Sequence, residues 1–385
     1  MNRVALQMLA GDRAKYLAIL FGLTCAALLV TQEAAIFLGY MTRTYSFIDD
    51  TRAADVWVMN PEMEFTDDAK RMPDTALLRA RGVAGVEWAE PMYKGVLNIR
   101  MSNGHEQACS IIGVDDATLA GGPPQMVEGK AEDLRGDDSV IVDQAEANTR
   151  FARTSADGKT KIPLKLGDTL EVNDHRVRVV GFCRITRPFF WQPVVYSTYT
   201  EALTLAPAQR RMLTFVVVKA KPGADLNALC ARLRDATGQA AYTSHDFRKL
   251  TAIYVVKQTG IAINFGIVVL LGLVIGTAIA GQTFYGFTLE NLKYFGMLKA
   301  MGASDRRLLG MILLQAVVAG MLGYGLGVGG AAVFGKLING TGLSFFLPWQ
   351  LLVFSGGCVV IACLVPALLS ARKVQRLEPA VVFKG

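Results

Sequence analysis

The order of apolar and polar positions divides the 385-residue chain into two kinds of sequence. No Asp, Glu, Lys or Arg lies between Lys257 and Glu290, between Arg307 and Lys336, or between Lys336 and Arg372. Each gap exceeds the roughly 20 apolar residues that cross a hydrocarbon layer. A shorter charge-free run follows Lys15, and past Glu33 it stays apolar through Tyr40. The pattern predicts four membrane spans, near 16–38, 261–285, 308–334 and 348–370. The first span resembles a signal peptide in position, but its apolar extension and the lack of a small-residue cleavage site favour a retained helix.

Between the first two spans the periodicity changes. "ADVWVMNP" (54–61) reads as a strand, and "TALLRARGVAGV" (75–86) as a helix stopped near Gly82 and followed by a strand into "EWAEPMY". "SVIVDQAEANTRFA" (139–152) reads as a strand then a helix. "IPLKLGDTLEVNDHRVRVVGFCRI" (162–185) alternates around the turn pairs Gly167-Asp168 and Asn173-Asp174. "LTFVVVKAKPGADLNALCARLRDATG" (213–238) gives a strand, a turn at Pro222-Gly223 and a helix with Asp225 as N-cap and Gly238 as stop. Segment 243–260 reads as a helix running directly into the second span. The predicted fold is therefore four transmembrane α-helices with a large α+β extracytoplasmic domain inserted between helices 1 and 2. Its divisions are an N-terminus at 1–15, a first span at 16–41, the outer domain at 42–258, a second span at 259–286 and an inner segment at 287–305. A third span at 306–335, an outer loop at 336–347, a fourth span at 348–371 and a tail at 372–385 complete it. Residues 2–15 suit either an amphipathic interfacial helix or a frayed end.

Charge orients the spans. The segment 42–258 holds 28 basic and 28 acidic residues, so the whole net charge of +7 belongs to the rest. The excess lies at the N-terminus (Arg3, Arg13, Lys15), at 289–307 (Lys293, Lys299, Arg306, Arg307) and in the tail (Arg372, Lys373, Arg376, Lys384). Four spans put these three places on one side, the cytoplasmic one by the positive-inside rule, and the neutral domain outside. A basic surplus at helix ends meets anionic lipid, and it predicts no nucleic-acid partner.

Catalytic and metal chemistry find little support. His105, His175 and His245 are isolated, and no GxSxG is present. "GAAVFGKL" (330–337) has phosphate-loop spacing, but Leu337 stands where a Mg²⁺-binding Ser or Thr is needed. No cofactor and no metal site is expected in the chain. Cys109, Cys183 and Cys230 allow at most one disulfide in the outer domain. Inside the spans, Gly272/Gly276, Gly323/Gly327 and Gly325/Gly329 have the spacing that lets helices approach closely. Glu33 is the one acidic residue inside a predicted span. It is a candidate substrate contact, with Gln32, Gln282 and Thr283 as companions.

The segment "LENLKYFGMLKAMGASDRRLL" (289–309) predicts a short amphipathic helix, a turn and entry into the third span. Glu290 and Lys293 are spaced to pair on one helix. Gly302 suits a left-handed helix end, Ser304 the cap of the next helix, and Asp305 its first turn. Tyr294, Phe295, Met297 and Leu298 are expected to be exposed, covered by lipid headgroups or by a groove on a cytoplasmic protein.

The stretch "ENLKYFGMLKAMGAS" resembles the coupling-helix motif of the FtsX/MacB-type ABC transporter permeases. The order of one span, a large outer domain and three spans is similar, as are "LKLGDTLEVNDHRVRVVGF" and the tail "ARKVQRLEPAVVFKG". "ADVWVMNP" and "GVAGVEWAEPMY" most resemble the DevC/HrtB branch. The resemblance implies ATPase coupling through Glu290, Lys293, Phe295, Gly296, Leu298, Lys299, Ala300, Gly302 and Ala303. Asn291 and Phe295 stand where the family often has charged residues. It further implies a non-catalytic permease subunit in a bacterial cytoplasmic (inner) membrane. ATP and Mg would sit on a separate ABC ATPase subunit. A second copy of the chain, a membrane fusion protein and an outer-membrane channel are the other implied partners. The implied activity is efflux by mechanotransmission. The alternative is an FtsX-like signalling subunit acting on an extracytoplasmic partner such as a cell-wall hydrolase.

Overall fold

The structure is a computed structural model that describes residues 2–11, 13–101, 104–154, 161–338 and 343–375. The chain folds as two units, one from Met1–Tyr40 with Thr259–Gly385 and one from Met41–Gln258.

In the first unit, α1 (Asn2–Gly11) precedes α2 (Arg13–Thr44), the first of four helices long and apolar enough to cross a membrane. Within the second unit come α3 (Ser46–Asp50), α4 (Thr75–Arg81), α5 (Gln144–Ala147), α6 (Tyr199–Leu205), α7 (Leu226–Thr237) and α8 (Ser244–Gln258). The chain returns through α9 (Ile261–Glu290), α10 (Leu292–Ala300), α11 (Asp305–Leu337) and α12 (Trp349–Gln375). All four spans predicted from the charge-free runs are helices here. The phosphate-loop-like stretch lies inside α11 apart from its neighbours in any strand–loop–helix arrangement, so its backbone N–H groups are spent on helix bonds. Of the tail motif, residues 376–385 lie outside the described residues.

Small residues set how the spans pack. A Cβ on Gly323 would stand 2.8 Å from Leu23 Cβ, and one on Gly327 would collide with Ala27. Gly276 meets Ala26 in the same way, and a Cβ on Gly272 would lie 3.1 Å from Leu29 Cβ. Thus α2 is gripped by α9 on one side and α11 on another, both through glycine pairs four apart. The Gly325/Gly329 pair does not follow: nothing lies within 4 Å of a Cβ built at either. Four residues is slightly more than one helical turn, and a shift of two positions along α11 turns the second pair away from α2. At the inner end, Ala5 of α1 is buried and its carbonyl accepts a 2.7 Å bond from the Gln315 amide of α11. The N-terminus is therefore a helix packed on the bundle.

The second unit is built on a ten-stranded mixed sheet. Its strands are β1 (Val56–Met59), β2 (Val86–Arg100), β3 (Glu106–Val114), β4 (Met126–Glu128), β5 (Ser139–Asp143), β8 (Thr169–Val172), β9 (His175–Cys183), β10 (Val194–Thr198), β11 (Phe215–Ala220) and β12 (Ala240–Thr243). The short pair β6 (Arg153–Thr154) and β7 (Lys161–Ile162) stands apart. The order is β12-β1-β11-β2-β3-β10-β5-β9-β4, with β8 bridging β2 and β9. Strands β3 with β10 and β5 with β9 run parallel, and the remaining pairs are antiparallel. The β8–β9 hairpin turns at Asn173 and Asp174, both at positive φ, a conformation Asn and Asp adopt more readily than other side chains. Asp225 caps α7 by accepting from the Asn227 and Ala228 amides, and Gly238 ends it at φ +69. Cys109, Cys183 and Cys230 are buried free thiols.

The two chain segments that enter and leave this unit pack together on one sheet face. Phe47 of α3 and Phe247 of α8 both lie against Trp57 and Phe215, with ring centroids 5.4–5.9 Å apart. Arg248 pairs with Asp49 at 2.6 Å. The exit helix does not run on into the second span as the sequence suggested. It stops at Gln258, and Gly260 takes φ +65 before α9 begins. Only glycine adopts that conformation without a steric cost, so the joint is a feature of this one residue.

Candidate functional site

The segment between α9 and α11 forms a compact bend. Asn291 ends α9 and begins α10, with non-helical φ −85 and ψ 7. Its amide donates back to the Phe287 carbonyl at 2.8 Å, and its own carbonyl accepts from the Phe295 amide. Such a local side-chain bond competes with helix continuation, which is why Asn breaks the run here. Glu290 therefore belongs to α9, not to the helix carrying Lys293. Its carboxylate pairs with Lys15 at the start of α2, so the expected Glu290–Lys293 pair is replaced by a tie between two spans.

Helix α10 closes with two reciprocal backbone bonds. The Ala303 amide donates to the Leu298 carbonyl and the Gly302 amide to the Lys299 carbonyl, each at 3.0 Å. Gly302 has φ +92. This is the Schellman arrangement, with glycine in the left-handed position. Ser304 takes the extended backbone of an N-cap, but its hydroxyl makes no capping bond; its carbonyl accepts from Arg307 and Leu308 instead. Across the turn, Lys299 pairs with Asp305 at 3.0 Å, joining the last turn of α10 to the first turn of α11.

The two faces of α10 differ. Phe295 is 0% exposed, packed in the bundle core with Ala5, Leu308 and Ala367. Gly296 beside it is also buried. Sequence reasoning put Phe295 on the exposed face, but it is an anchor, because an aromatic side chain facing the alanine-rich bundle end removes more apolar surface from water than any neighbour. The opposite face presents Lys293, Tyr294, Met297, Ala300 and Met301, with Tyr294 57% and Met301 76% exposed. Leu298, Lys299 and Ala303 are half-buried, and Gly302 is exposed. The motif residues thus split into those that hold the helix and those that face outward.

The second candidate set does not assemble. Helices α2 and α9 are antiparallel, with Gly22 against Ile279, Ala26 against Gly276, and Phe37 against Phe265. In that register Glu33 is level with the stretch 267–270. Gln282 and Thr283 lie beyond the Gly22–Ile279 contact, towards the inner end. The separation is about 20 Å at 1.5 Å per residue. Thr283 bonds its own helix at the Ile279 carbonyl, 2.8 Å away. Glu33 and Gln32 are half-buried on α2. Chain order makes α9 antiparallel to α2, and this register keeps Gln282 and Thr283 away from the level of Glu33. Among the described residues no group of three or more His, Cys, Asp or Glu side chains could hold a metal ion.

Comparison with known proteins matches both units. Residues 17–236 match the MacB-like periplasmic core domain, and residues 263–379 match the FtsX-like permease C-terminal. An uncharacterized ABC transporter permease of Mycobacterium tuberculosis is 23% identical over 316 residues, covering 81% of this chain and 79% of the relative. One from Methanocaldococcus jannaschii is 23% identical over 237 residues, so the chain spans 58% of that relative's length. The macrolide export ATP-binding/permease protein MacB of Psychrobacter arcticus is 23% identical over 345 residues, covering 83% of this chain and 49% of MacB. Among solved structures, the periplasmic region of MacB from Actinobacillus actinomycetemcomitans covers 53% of this chain and 96% of its own, at 13% identity and a TM-score of 0.38. From the two matched models, which together take in both the sheet-based unit and the spans around the α10 bend, the chain belongs to the MacB/FtsX-type family of ABC transporter permeases.

Proposed function

We propose that the chain is the membrane subunit of an ABC exporter, driven by a separate ATPase that docks on the exposed face of α10. The observation that carries this reading is the division of α10 into an anchored face, Phe295 and Gly296, and an apolar face open to a partner, Tyr294, Met297 and Met301. A push on that face passes to α9 through Asn291, to α2 through the Glu290–Lys15 pair, and to α11 through Lys299–Asp305. Helix α2 is unbroken from Arg13 to Thr44, so it carries displacement outward as a rod. Gly260 between α8 and α9 gives the return connection freedom to follow. Two copies form the transporter, the basic helix ends face the cytoplasm, and the outer units expel a substrate from the outer leaflet or the space beyond it.

The test is copurification of the full chain with its ATPase subunit, identified by mass spectrometry, and ATP turnover of the complex. Burying one methionine contributes about 1.5–3 kcal/mol. The double substitution Met297→Asp/Met301→Asp is therefore expected to weaken assembly by at least about 100-fold. Retention of the ATPase by that variant at the wild-type level overturns the proposal.

A further inference from the structure

The loop between β9 and β10, residues 184–193, is a strap fixed along its length. The Thr186 amide and hydroxyl donate to the Asp50 carboxylate at 2.8 and 2.9 Å, and the Arg184 amide donates to the Gln125 carbonyl at 2.8 Å. The Pro193 carbonyl accepts from the Ser110 amide at 2.8 Å, and the Trp191 carbonyl accepts from Arg150. Between these points Trp191 sits at φ +56, a conformation that is costly for a bulky side chain and persists only where its surroundings impose it. A strap held in this way presents its side chains already ordered, so seating them against a partner costs little further conformational entropy.

The strap carries aromatic rings and arginines together. Phe189 and Phe190 meet edge to face at 5.1 Å, Phe190 lies 6.1 Å from Phe65, and Phe65 stacks on Tyr254 of α8 at 4.5 Å. This row of rings is open at one end, where Phe190 remains 49% exposed. The Trp191 ring is flanked by Arg187 at 5.3 Å and by Arg43 of α2 at 6.0 Å. With Arg150 and the exposed Arg184, arginines collect at one loop of a unit whose basic and acidic residues balance overall. The carboxylates beside them are engaged, Asp50 by Thr186 and Glu146 by Arg150 at 3.6 Å.

Chain connectivity gives the level of this cluster. Arg43 follows Tyr40 by three residues on the unbroken helix α2, about 5 Å along its axis. Tyr40 closes the apolar run of the first span and packs on Phe265 of α9 at 6.4 Å. Tyr254 precedes by seven residues Ile261, where α9 begins. The headgroup layer of a bilayer extends about 5–8 Å beyond the hydrocarbon on each side. Aromatic rings favour that layer, and guanidinium groups there bond lipid phosphate. We infer that the strap is a membrane-surface anchor, seated on the outer lipid leaflet with Phe190 and Trp191 in the headgroup layer and Arg43, Arg184 and Arg187 against lipid phosphates. It gives the sheet-based unit a third hold on the membrane besides α2 and the Gly260 joint, so an outward stroke of α2 has to draw the strap from the lipid. The inference rests on α2 and α9 being membrane spans and is independent of the docking proposal for α10.

The experiment uses the full chain, labelled with 5-fluorotryptophan, in nanodiscs of mixed phosphatidylcholine and phosphatidylglycerol, and is read by fluorine-19 NMR. The tryptophans are Trp57, Trp88, Trp191 and Trp349, and the spectrum of Trp191→Phe assigns the resonance at issue. Trp57, buried in the sheet-based unit, is the reference for no contact, and Trp349, exposed at the start of α12, is the reference for lipid contact. Lipid carrying a nitroxide on its headgroup is expected to broaden Trp191 at least threefold more than Trp57. In Arg187→Glu/Phe190→Asp, with the thermal unfolding midpoint retained, that broadening is expected to fall at least twofold, and broadening by a water-soluble gadolinium chelate to rise. Should the variant not fold, the wild-type comparison of Trp191 with Trp57 decides alone. A Trp191 resonance broadened by the nitroxide lipid no more than Trp57 is exposed to water or covered by protein and overturns the inference, as does lipid broadening unchanged in the folded variant.

Discussion

Gly302 offers a test in which backbone conformation is separated from packing. Its φ of +92 would be adopted by an L side chain only at a cost, yet a Cβ built there meets nothing within 4 Å. Any effect of substitution therefore comes from the backbone itself. Replacement by Ala costs about 1 kcal/mol in the left-handed region, and replacement by the β-branched Val about 2–3 kcal/mol. Asn, which tolerates that region, costs less than either. A 2 kcal/mol penalty lowers the ratio of closed to open turn about 30-fold. The opened turn releases the bonds from Ala303 to Leu298 and from Gly302 to Lys299, and moves Lys299 away from Asp305. The assay is ATP turnover of the reconstituted complex alongside thermal unfolding of the purified chain. The expected order of coupled turnover is Gly, Asn, Ala, Val, with the unfolding midpoint nearly constant because the turn is exposed and local. Equal turnover in Gly302→Val, or a worse result for Asn than for Val, would refute the reasoning.

Two further outcomes follow from the packing and the burial. Gly327→Leu must drive a side chain into Ala27 of α2, and overpacking of this kind costs about 1–3 kcal/mol or more, whereas Gly325→Leu projects into open space; a lowered unfolding midpoint in detergent is expected for the first and not the second, and equal shifts would contradict the helix register. Burial raises the Asp143 carboxyl from 3.8 to about 6. The folded state then holds its proton more tightly, so this group's contribution to stability is most favourable below about pH 4 and is lost, by about 3 kcal/mol, as pH rises through about 6. Asp143→Asn is expected to flatten that part of the pH profile of thermal unfolding, and an unchanged slope would show that the carboxyl does not titrate there.

What could be read from the sequence was whatever depends on neighbours along the chain. The spans follow from charge-free length, and α7 follows from Asp225 and Gly238, because a cap and a left-handed stop act within one turn. The same locality made the Gly302 turn legible, down to its helix-ending role. Strand pairing was less accessible. Nothing near β10 indicates that it lies parallel to β3, since the partner is more than 80 residues away in sequence. Lys94, Ile112 and Tyr196 fall into one row only through that sheet register.

The errors at the bend and in the spans have a common physical origin. Helical spacing tells which residues share a face, but not which face is covered, and it carries no information on the level of a residue in a neighbouring antiparallel helix. Phe295 and Tyr294 are adjacent and both aromatic, yet one is buried in the core cluster that includes Ala5, Leu308 and Ala367 while the other is exposed, a distinction set by tertiary packing. Glu33 and Gln282 are both polar residues of apolar helices, and the glycine contacts of α2 with α9 place them about 20 Å apart. The same contacts give Glu33 an outer-end position and leave Gln282 at the inner end, close to the bend. Gln282 thus lies on the inner half of α9, about two turns before the Glu290 that pairs with Lys15, and any site built around Glu33 would draw on the outer half of α2 without it.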